Sequence, residues 1–141
     1  MKRTGPEIGR GSRSSAPRRR RGQTLGVVDY TLAKRALLRD VQRGLLGLPD
    51  ICDAHPELMR AAEHVGEPSG HECPVCGKAE LVLLAYVYGD DLKQNNGRVW
   101  ALETALKLAA AHQGAACYVV EVCRECHWNH LSEAFTARSV G

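Results

Sequence analysis

The sequence predicts an α+β fold, in which an N-terminal pair of helices packs on a four-cysteine zinc ribbon that carries an inserted helix. The first observation is cysteine spacing, because two Cys-x-x-Cys pairs lie in the second half of the chain, Cys73 with Cys76 and Cys123 with Cys126. The second is a helical periodicity of apolar residues on both sides of the first pair. The third is that a short apolar run accompanies each pair, which is typical of a buried strand.

Two helices are predicted in the N-terminal part of the chain. Residues 27–46 place apolar side chains near helical spacing with charged residues between them, and a turn rich in glycine and proline ends the pattern. A second helix is predicted for residues 54–65, since Asp53 or His55 can cap its start and Gly66 follows its end. Simple packing of the two helices is the favoured interpretation, and a DNA-reading helix-turn-helix is the alternative.

The two cysteine pairs are predicted to bracket a strand, a helix and a second strand. Residues 81–88 form the first strand, residues 98–113 an amphipathic helix, and residues 117–122 the second strand. A short helix is expected at residues 129–137. If both pairs hold one ion, the two strands lie antiparallel, and the inserted helix explains a ligand gap longer than the usual ~15–20 residues.

Four thiolates in two tight turns are the ligand set that Zn²⁺ favours, so we expect the four paired cysteines to hold one structural Zn²⁺. Such a site leaves no position for a water molecule, so catalysis by the metal is not expected, and redox-active thiols without metal are the alternative. His71, His127 and His130 lie near the pairs, where one could replace a thiolate, but roles outside the ligand set are favoured. Cys52 and Cys117 are interpreted as small core residues.

Charge is distributed unevenly along the chain. Residues 1–22 contain eight Lys or Arg against one acid, about +7, whereas the remaining residues are about −4. The most basic part is a run of four arginines, Arg18, Arg19, Arg20 and Arg21. We expect this run either to contact nucleic acid or another polyanion or to be a solvated tail, and the solvated tail is the simpler interpretation.

The predicted domain organisation is a basic tail followed by one domain. Residues 1–24 are expected to be disordered, because they offer almost nothing to bury. Residues 25–137 are expected to form a single domain, with a helical part at 25–68 and the ribbon at 69–137. No apolar run approaches the ~20 residues that cross a bilayer, and no secretory signal is recognised, so we expect a cytoplasmic protein without a membrane partner.

A rim of aromatic and polar residues follows the second pair. Trp128, flanked by His127 and His130, is predicted to contact a partner by stacking on a base or anchoring a protein. The alternative is that Trp128 covers the metal site and completes the core. Cys52 and His55 are neighbours in one turn, and helix capping is a simpler interpretation of that turn than catalysis.

Four stretches of the sequence carry a resemblance: VVDY at residues 27–30, ICDAHPEL at 51–58, CPVC at 73–76 and VEVCRECHWNHL at 120–131. Over roughly residues 25–135 the chain resembles a family of small, zinc-ribbon-like actinobacterial proteins of unknown function. The resemblance implies no activity, and the basic tail lies outside it. A broader likeness to the zinc ribbons of the transcription and translation machinery rests on the two cysteine pairs alone.

These observations predict a non-enzymatic, zinc-stabilised binding module that docks on a macromolecular assembly, such as RNA polymerase, the ribosome or RNA. The alternative is a protein–protein adaptor or homo-oligomer without nucleic acid. A thiol redox protein or an enzyme is the third hypothesis, and the sequence indicates no small-molecule substrate.

Overall fold

The computed structural model describes residues 23–112 and 114–139 of the chain. The elements, in chain order, are β1 (Gln23–Asp29), α1 (Thr31–Gln42), α2 (Leu48–Ile51), α3 (Pro56–Val65), β2 (Glu67–Glu72), β3 (Glu80–Tyr88), a 3-10 segment (Asp90–Asn95), β4 (Arg98–Ala101), α4 (Leu102–Ala111), β5 (Ala116–Val122) and β6 (Asn129–Ser139). Helices and an antiparallel sheet occur together, so the predicted α+β class is confirmed. Residues 1–22 of the predicted basic tail, with Arg18 to Arg21, lie outside the described residues, whereas Gln23 and Thr24 begin β1.

The strands form one antiparallel sheet in the order β1-β6-β5-β3-β2, with β4 also paired to β3. β2 pairs with the first half of β3, and β4 pairs with its second half along the same edge. On its other edge β3 pairs with β5, from Val82 opposite Val122 to Tyr88 opposite Ala116. The expectation that these two strands are antiparallel neighbours is therefore confirmed.

The register gives the sheet two distinct ends. β3 and β6 begin, and β5 stops, at the end where both Cys-x-x-Cys pairs adjoin the sheet, which we call the cysteine end. At the opposite end β3 finishes with Tyr88, and β1 begins with Gln23 opposite Ser139. We call this the tyrosine end.

Helices cover both faces of the sheet. α3 packs on one face, over Leu84 and its neighbours, and we call this the α3 face. α4 packs on the opposite face, over Ala85 and Val87, while α1 and α2 pack on that same face near the cysteine end, around Leu81. Leu84 and Ala85 point to opposite faces and are both 0% exposed. Burial of β3 on both faces explains its unbroken apolar run.

Several sequence predictions for local structure are confirmed. The helix expected at residues 54–65 is α3, and the Nδ1 atom of His55 accepts the backbone N–H of Glu57 at 3.2 Å, which caps its start. The strands expected at residues 81–88 and 117–122 are β3 and β5. Among the described helices, none has the length and apolar character that a membrane span requires.

Other predictions are wrong because they assign a helix where the structure has a strand. Residues 129–137 belong to strand β6 rather than to a helix, because β6 is paired on both sides, with β5 and with β1. Residues 27–29 end strand β1 instead of starting a helix, and the Asp29 carboxylate accepts the Thr31 N–H at 2.7 Å where α1 begins. Residues 98–101 form β4 and not the first turn of the inserted helix, which is limited to α4.

Candidate metal centre

The four paired cysteines meet at the cysteine end of the sheet. Their Sγ atoms all lie within 4.8 Å of one another. Across the two pairs, Cys73 Sγ is 3.7 Å from Cys126 Sγ, and Cys76 Sγ is 3.6 Å from Cys123 Sγ. Four sulfurs around one Zn²⁺, each about 2.3 Å from the metal in a tetrahedron, would lie about 3.8 Å apart. The cluster therefore fits a metal ion with four thiolate ligands, and within the described residues no histidine joins this group.

Each cysteine pair lies in a turn whose backbone N–H groups point at sulfur. Cys73 Sγ accepts the N–H groups of the residues two and three positions later, at 3.4 and 3.5 Å. Cys123 Sγ accepts the equivalent two groups at 3.3 and 3.4 Å. Hydrogen bonds from N–H groups favour a negatively charged sulfur. Both turns are therefore suited to hold thiolates, as the shared Cys-x-x-Cys spacing predicts.

The residue after each pair has a left-handed backbone conformation. Gly77 has a φ of 65° and His127 a φ of 72°. In both turns this residue donates its N–H to the carbonyl of the first cysteine, Cys73 or Cys123, at 3.1 Å. Glycine adopts such a φ without a steric penalty, whereas histidine does not. The second turn is thus held in a conformation that its own residue disfavours.

The thiols of the cluster differ in acidity. Burial raises the pKa of Cys73 and of Cys123 above the ordinary value of 9.0, and burial raises the pKa of Cys126 to about 12. The N–H of Lys78, 3.4 Å from Cys76 Sγ, lowers the pKa of that thiol instead. A metal ion must displace the protons of these thiols, so binding should weaken as the solution becomes more acidic.

A fifth thiol contacts the cluster from the N-terminal part of the chain. Cys52 follows the last residue of α2, and its Sγ donates to Cys126 Sγ at 3.7 Å. Cys52 is half-buried and lies outside the group of four mutually close sulfurs. Its interpretation as a plain core residue therefore misses a contact with the site. Cys117, in contrast, is buried under α4 on the face of the sheet opposite the α3 face, as expected for a core residue.

The turn between α2 and α3 is fastened to the second cysteine turn. The Ala54 N–H donates to the His127 carbonyl at 3.0 Å, and the Asn129 side-chain amide donates to Asp53 Oδ1 at 3.0 Å. Cys52 contacts the cluster, and His55 caps α3. The residues that crowd this turn in the sequence thus have separate structural contacts, which agrees with the capping interpretation for His55, whereas Asp53 contacts Asn129 and not the start of α3.

Trp128 lies inside the protein and not on its surface. Its side chain is 0% exposed, and Nε1 donates to Glu121 Oε2 at 3.1 Å. The ring of His130 stacks on the indole, with centroids 5.7 Å apart and an interplanar angle of 8°. The expectation that Trp128 stacks on a base or anchors a partner is therefore wrong, because a fully buried indole has no surface to offer. The alternative, that it completes the core beside the cysteines, fits the structure. His127 is exposed, and His130 is half-buried.

A buried carboxylate beside the cluster was missed by the sequence analysis. Glu121 is 6% exposed, and Lys34 of α1 places Nζ 3.0 Å from its Oε2. The only sequence signal is that Glu121 interrupts the apolar run of β5. Its two partners lie on other elements, so the sequence pattern alone could not identify them.

Comparison with known proteins supports the family resemblance. Residues 20–140 match a family of unknown function, DUF5318. An uncharacterised protein of Mycobacterium tuberculosis and one of Mycobacterium bovis are each 43% identical to this chain over 108 residues, which is 77% of this chain and 79% of the relative. No solved structure gives a significant match. The chain therefore belongs to the DUF5318 family.

Proposed function

We propose that this protein is a non-enzymatic binding module, stabilised by one structural Zn²⁺ in a ribbon-like site, that docks on RNA or on a ribonucleoprotein or polymerase assembly. The observation that carries the proposal is the cluster of four cysteine sulfurs, each within 4.8 Å of the other three. Such a cluster lets one ion join the two turns and, through them, the sheet and the helical part.

The donor set supports zinc among the biological metals. Thiolates are soft ligands, and four of them in a tetrahedron favour Zn²⁺ or an iron–sulfur cluster over hard cations such as Mg²⁺. The backbone N–H groups directed at Cys73 and Cys123 support thiolates in both turns. Because four cysteines fill the tetrahedron, the ion would have no open position for a substrate or a water molecule. This supports a structural role for the metal.

The charge of the chain supports a polyanionic partner. Residues 1–22 carry about +7, and the arginine run Arg18 to Arg21 lies directly before the first strand. Clustered guanidinium groups bind phosphates and release counterions from nucleic acid. Exposed His127, beside the second cysteine turn, is a further candidate contact residue. Trp128 is buried and is not a candidate.

The proposal is tested by affinity capture of the tagged full-length chain from an actinobacterial lysate, with and without nuclease, together with metal analysis of the purified protein. We expect about one zinc per chain. We also expect ribosomal or polymerase subunits to co-purify, with recovery that depends on salt. A monomer with one zinc and no macromolecular partner would overturn docking but not the metal site. A protein that folds normally without metal would overturn the structural zinc.

A second candidate function is that of an adaptor or homo-oligomer without nucleic acid. β1 is the last strand at one edge of the sheet as described, and its Val27 and Val28 are 44% and 53% exposed. An exposed edge strand with apolar residues can pair with another chain. This candidate predicts that deletion of residues 1–22, which leaves β1 intact, does not change partner affinity or self-association, measurable by light scattering after size-exclusion chromatography.

A further inference from the structure

We propose that the α3 face of the sheet, at its tyrosine end, binds single-stranded RNA, with bases stacked on Tyr86, Tyr88 and Tyr118. This inference rests on the proposed function and gives it a surface and a ligand. The expected contact with RNA then lies at the opposite end of the sheet from the metal centre.

The three tyrosines share one face of two neighbouring strands. Tyr86 and Tyr88 are two residues apart on β3, so their side chains point to the same face. Tyr118 on β5 lies directly opposite Tyr86 in the register. The rings of Tyr88 and Tyr118 are 5.5 Å apart and nearly perpendicular, at 86°. With Leu131 they line a shallow depression of about 370 Å³.

The tyrosines lie beyond the part of the α3 face that the helix α3 covers. Toward the cysteine end, α3 buries Val82 and Leu84 on this face, both of which are at most 4% exposed. At the tyrosine end of the same face, Tyr88 is 45% exposed, and Tyr86 and Tyr118 are half-buried. On the opposite face at the same level, α4 packs over Val87 and Cys117, both of which are 0% exposed. The three rings therefore form an aromatic part of this face that α3 leaves uncovered.

An antiparallel sheet with exposed aromatic rings is suited to unstacked bases. Single-stranded RNA exposes bases that stack on aromatic side chains, as on the sheet surface of several RNA-binding folds. Each phenol adds a hydroxyl that can donate to or accept from a ribose 2′-hydroxyl, which DNA lacks. These features favour RNA over DNA.

The first strand of the sheet begins at this end. Gln23 is the first residue of β1, and β1 begins at the tyrosine end. Arg21 is two residues before Gln23, which the backbone can span with at most about 7 Å. β6 alone separates β1 from β5, the strand of Tyr118, so the arginines joined to β1 can supply cations to a phosphate backbone bound at this end of the sheet.

The test is a titration of the zinc-loaded full chain into a labelled, unstructured RNA of about 12 nucleotides, followed by fluorescence anisotropy. Base–aromatic stacking is worth about 1–3 kcal/mol per base, so Tyr88→Ala and Tyr118→Ala should each weaken binding about fivefold or more. Tyr88→Phe keeps the ring and should retain most of the affinity. Leu45→Ala removes a side chain that is 69% exposed outside this face, and it should bind as the unmodified chain does. Replacement of the four arginines by alanine should reduce the salt dependence of binding.

The outcomes separate this inference from the proposed function. If the unmodified chain binds RNA and the tyrosine variants bind equally well, the surface is wrong, while the proposed function stands. If single-stranded DNA of the same sequence binds as tightly as RNA, the RNA assignment is overturned. If the chain binds no RNA, or if Tyr88→Ala instead dissolves a dimer of the chain, the inference fails, and the capture experiment alone decides the proposed function.

Discussion

Lys34 Nζ lies 3.0 Å from Glu121 Oε2, and the same carboxylate oxygen accepts the indole N–H of Trp128. This pair joins α1 to the middle of the sheet beside the cysteine cluster. Glu121 is almost fully buried, so its charge depends on these two donors in place of water. The contact therefore fixes both the position of α1 and the orientation of the buried indole.

Loss of the lysine should destabilise the protein strongly. In Lys34→Met, a buried carboxylate loses its cation, and we expect the free energy of unfolding to fall by about 3 kcal/mol, the lower end of the range for a broken buried pair, because Lys34 is partly exposed. Urea denaturation of the zinc-loaded protein measures the change. As a control, Lys107→Met breaks the exposed Glu103–Lys107 pair and should cost less than about 1 kcal/mol. Equal effects at the two sites would contradict a special role for Glu121.

Loss of one cysteine of the cluster should unfold the cysteine end. In Cys123→Ser the metal loses a thiolate, and its binding free energy is part of the folding free energy. We expect bound zinc to fall well below about one per chain, and the cooperative thermal transition to weaken or disappear. Cys117→Ala removes another fully buried thiol and should keep its zinc. A native circular dichroism spectrum and melting temperature in Cys123→Ser would argue against a structural metal.

The thiol of Cys52 should raise the zinc affinity of the site without itself binding the metal. Removal of Cys52 by alanine substitution deletes the S–H donor to Cys126 and leaves the four-sulfur cluster intact. Groups that hydrogen-bond to metal ligands typically contribute about 10- to 100-fold to metal affinity. We therefore expect unchanged zinc stoichiometry with affinity lowered about tenfold, measured by competition with a chromophoric chelator. A Cys52→Ala protein without zinc would mean that Cys52 is itself a ligand.

The two left-handed positions should respond in opposite ways to substitution. His127→Gly relieves an unfavourable φ at an exposed residue, and it should stabilise the protein by about 1 kcal/mol. Gly77→Ala imposes that strain on the first turn, although an added Cβ would meet no atom within 4 Å, and it should destabilise the protein by about 1 kcal/mol. Thermal denaturation of the two variants side by side measures both effects. Destabilisation by His127→Gly would show that the histidine side chain contributes more than its strain costs.

Alkaline pH should reveal the buried thiol of Cys117. Burial raises its pKa from 9.0 to about 12, so the folded protein holds this proton more tightly than the unfolded chain. The associated stability is fully present below pH 9 and is lost as the pH rises from 9.0 toward about 12. We expect stability to fall less steeply with pH in Cys117→Ala than in the unmodified chain. Parallel slopes in denaturant titrations across this range would contradict the assignment.

The sequence was sufficient where local chemistry determines structure. The spacing within Cys73–Cys76 and Cys123–Cys126 identifies the cluster because each turn forms from its own few residues. The long apolar run identifies β3 because that strand is buried on both faces.

The sequence was insufficient where contacts between residues far apart in the chain determine secondary structure and burial. β6 becomes a strand because β5 and β1 pair with it on both sides, a context that residues 129–137 do not encode by periodicity. The burial of Trp128 likewise depends on Glu121 and on Lys34, which lies 87 residues from that glutamate. Only the folded sheet brings these groups together.

The antiparallel pairing of β3 with β5 has a consequence for how the chain reaches one structure. Cys76 and Cys123 are 47 residues apart, and they meet because the two strands that adjoin them are paired in one register. A slip of one residue would turn the side chains of a strand to the wrong face and move the two sulfurs out of position. An ion that needs all four sulfurs would bind only the correctly aligned sheet. Metal binding would thus select the correct register of the two strands, at the end of the sheet farthest from the tyrosines.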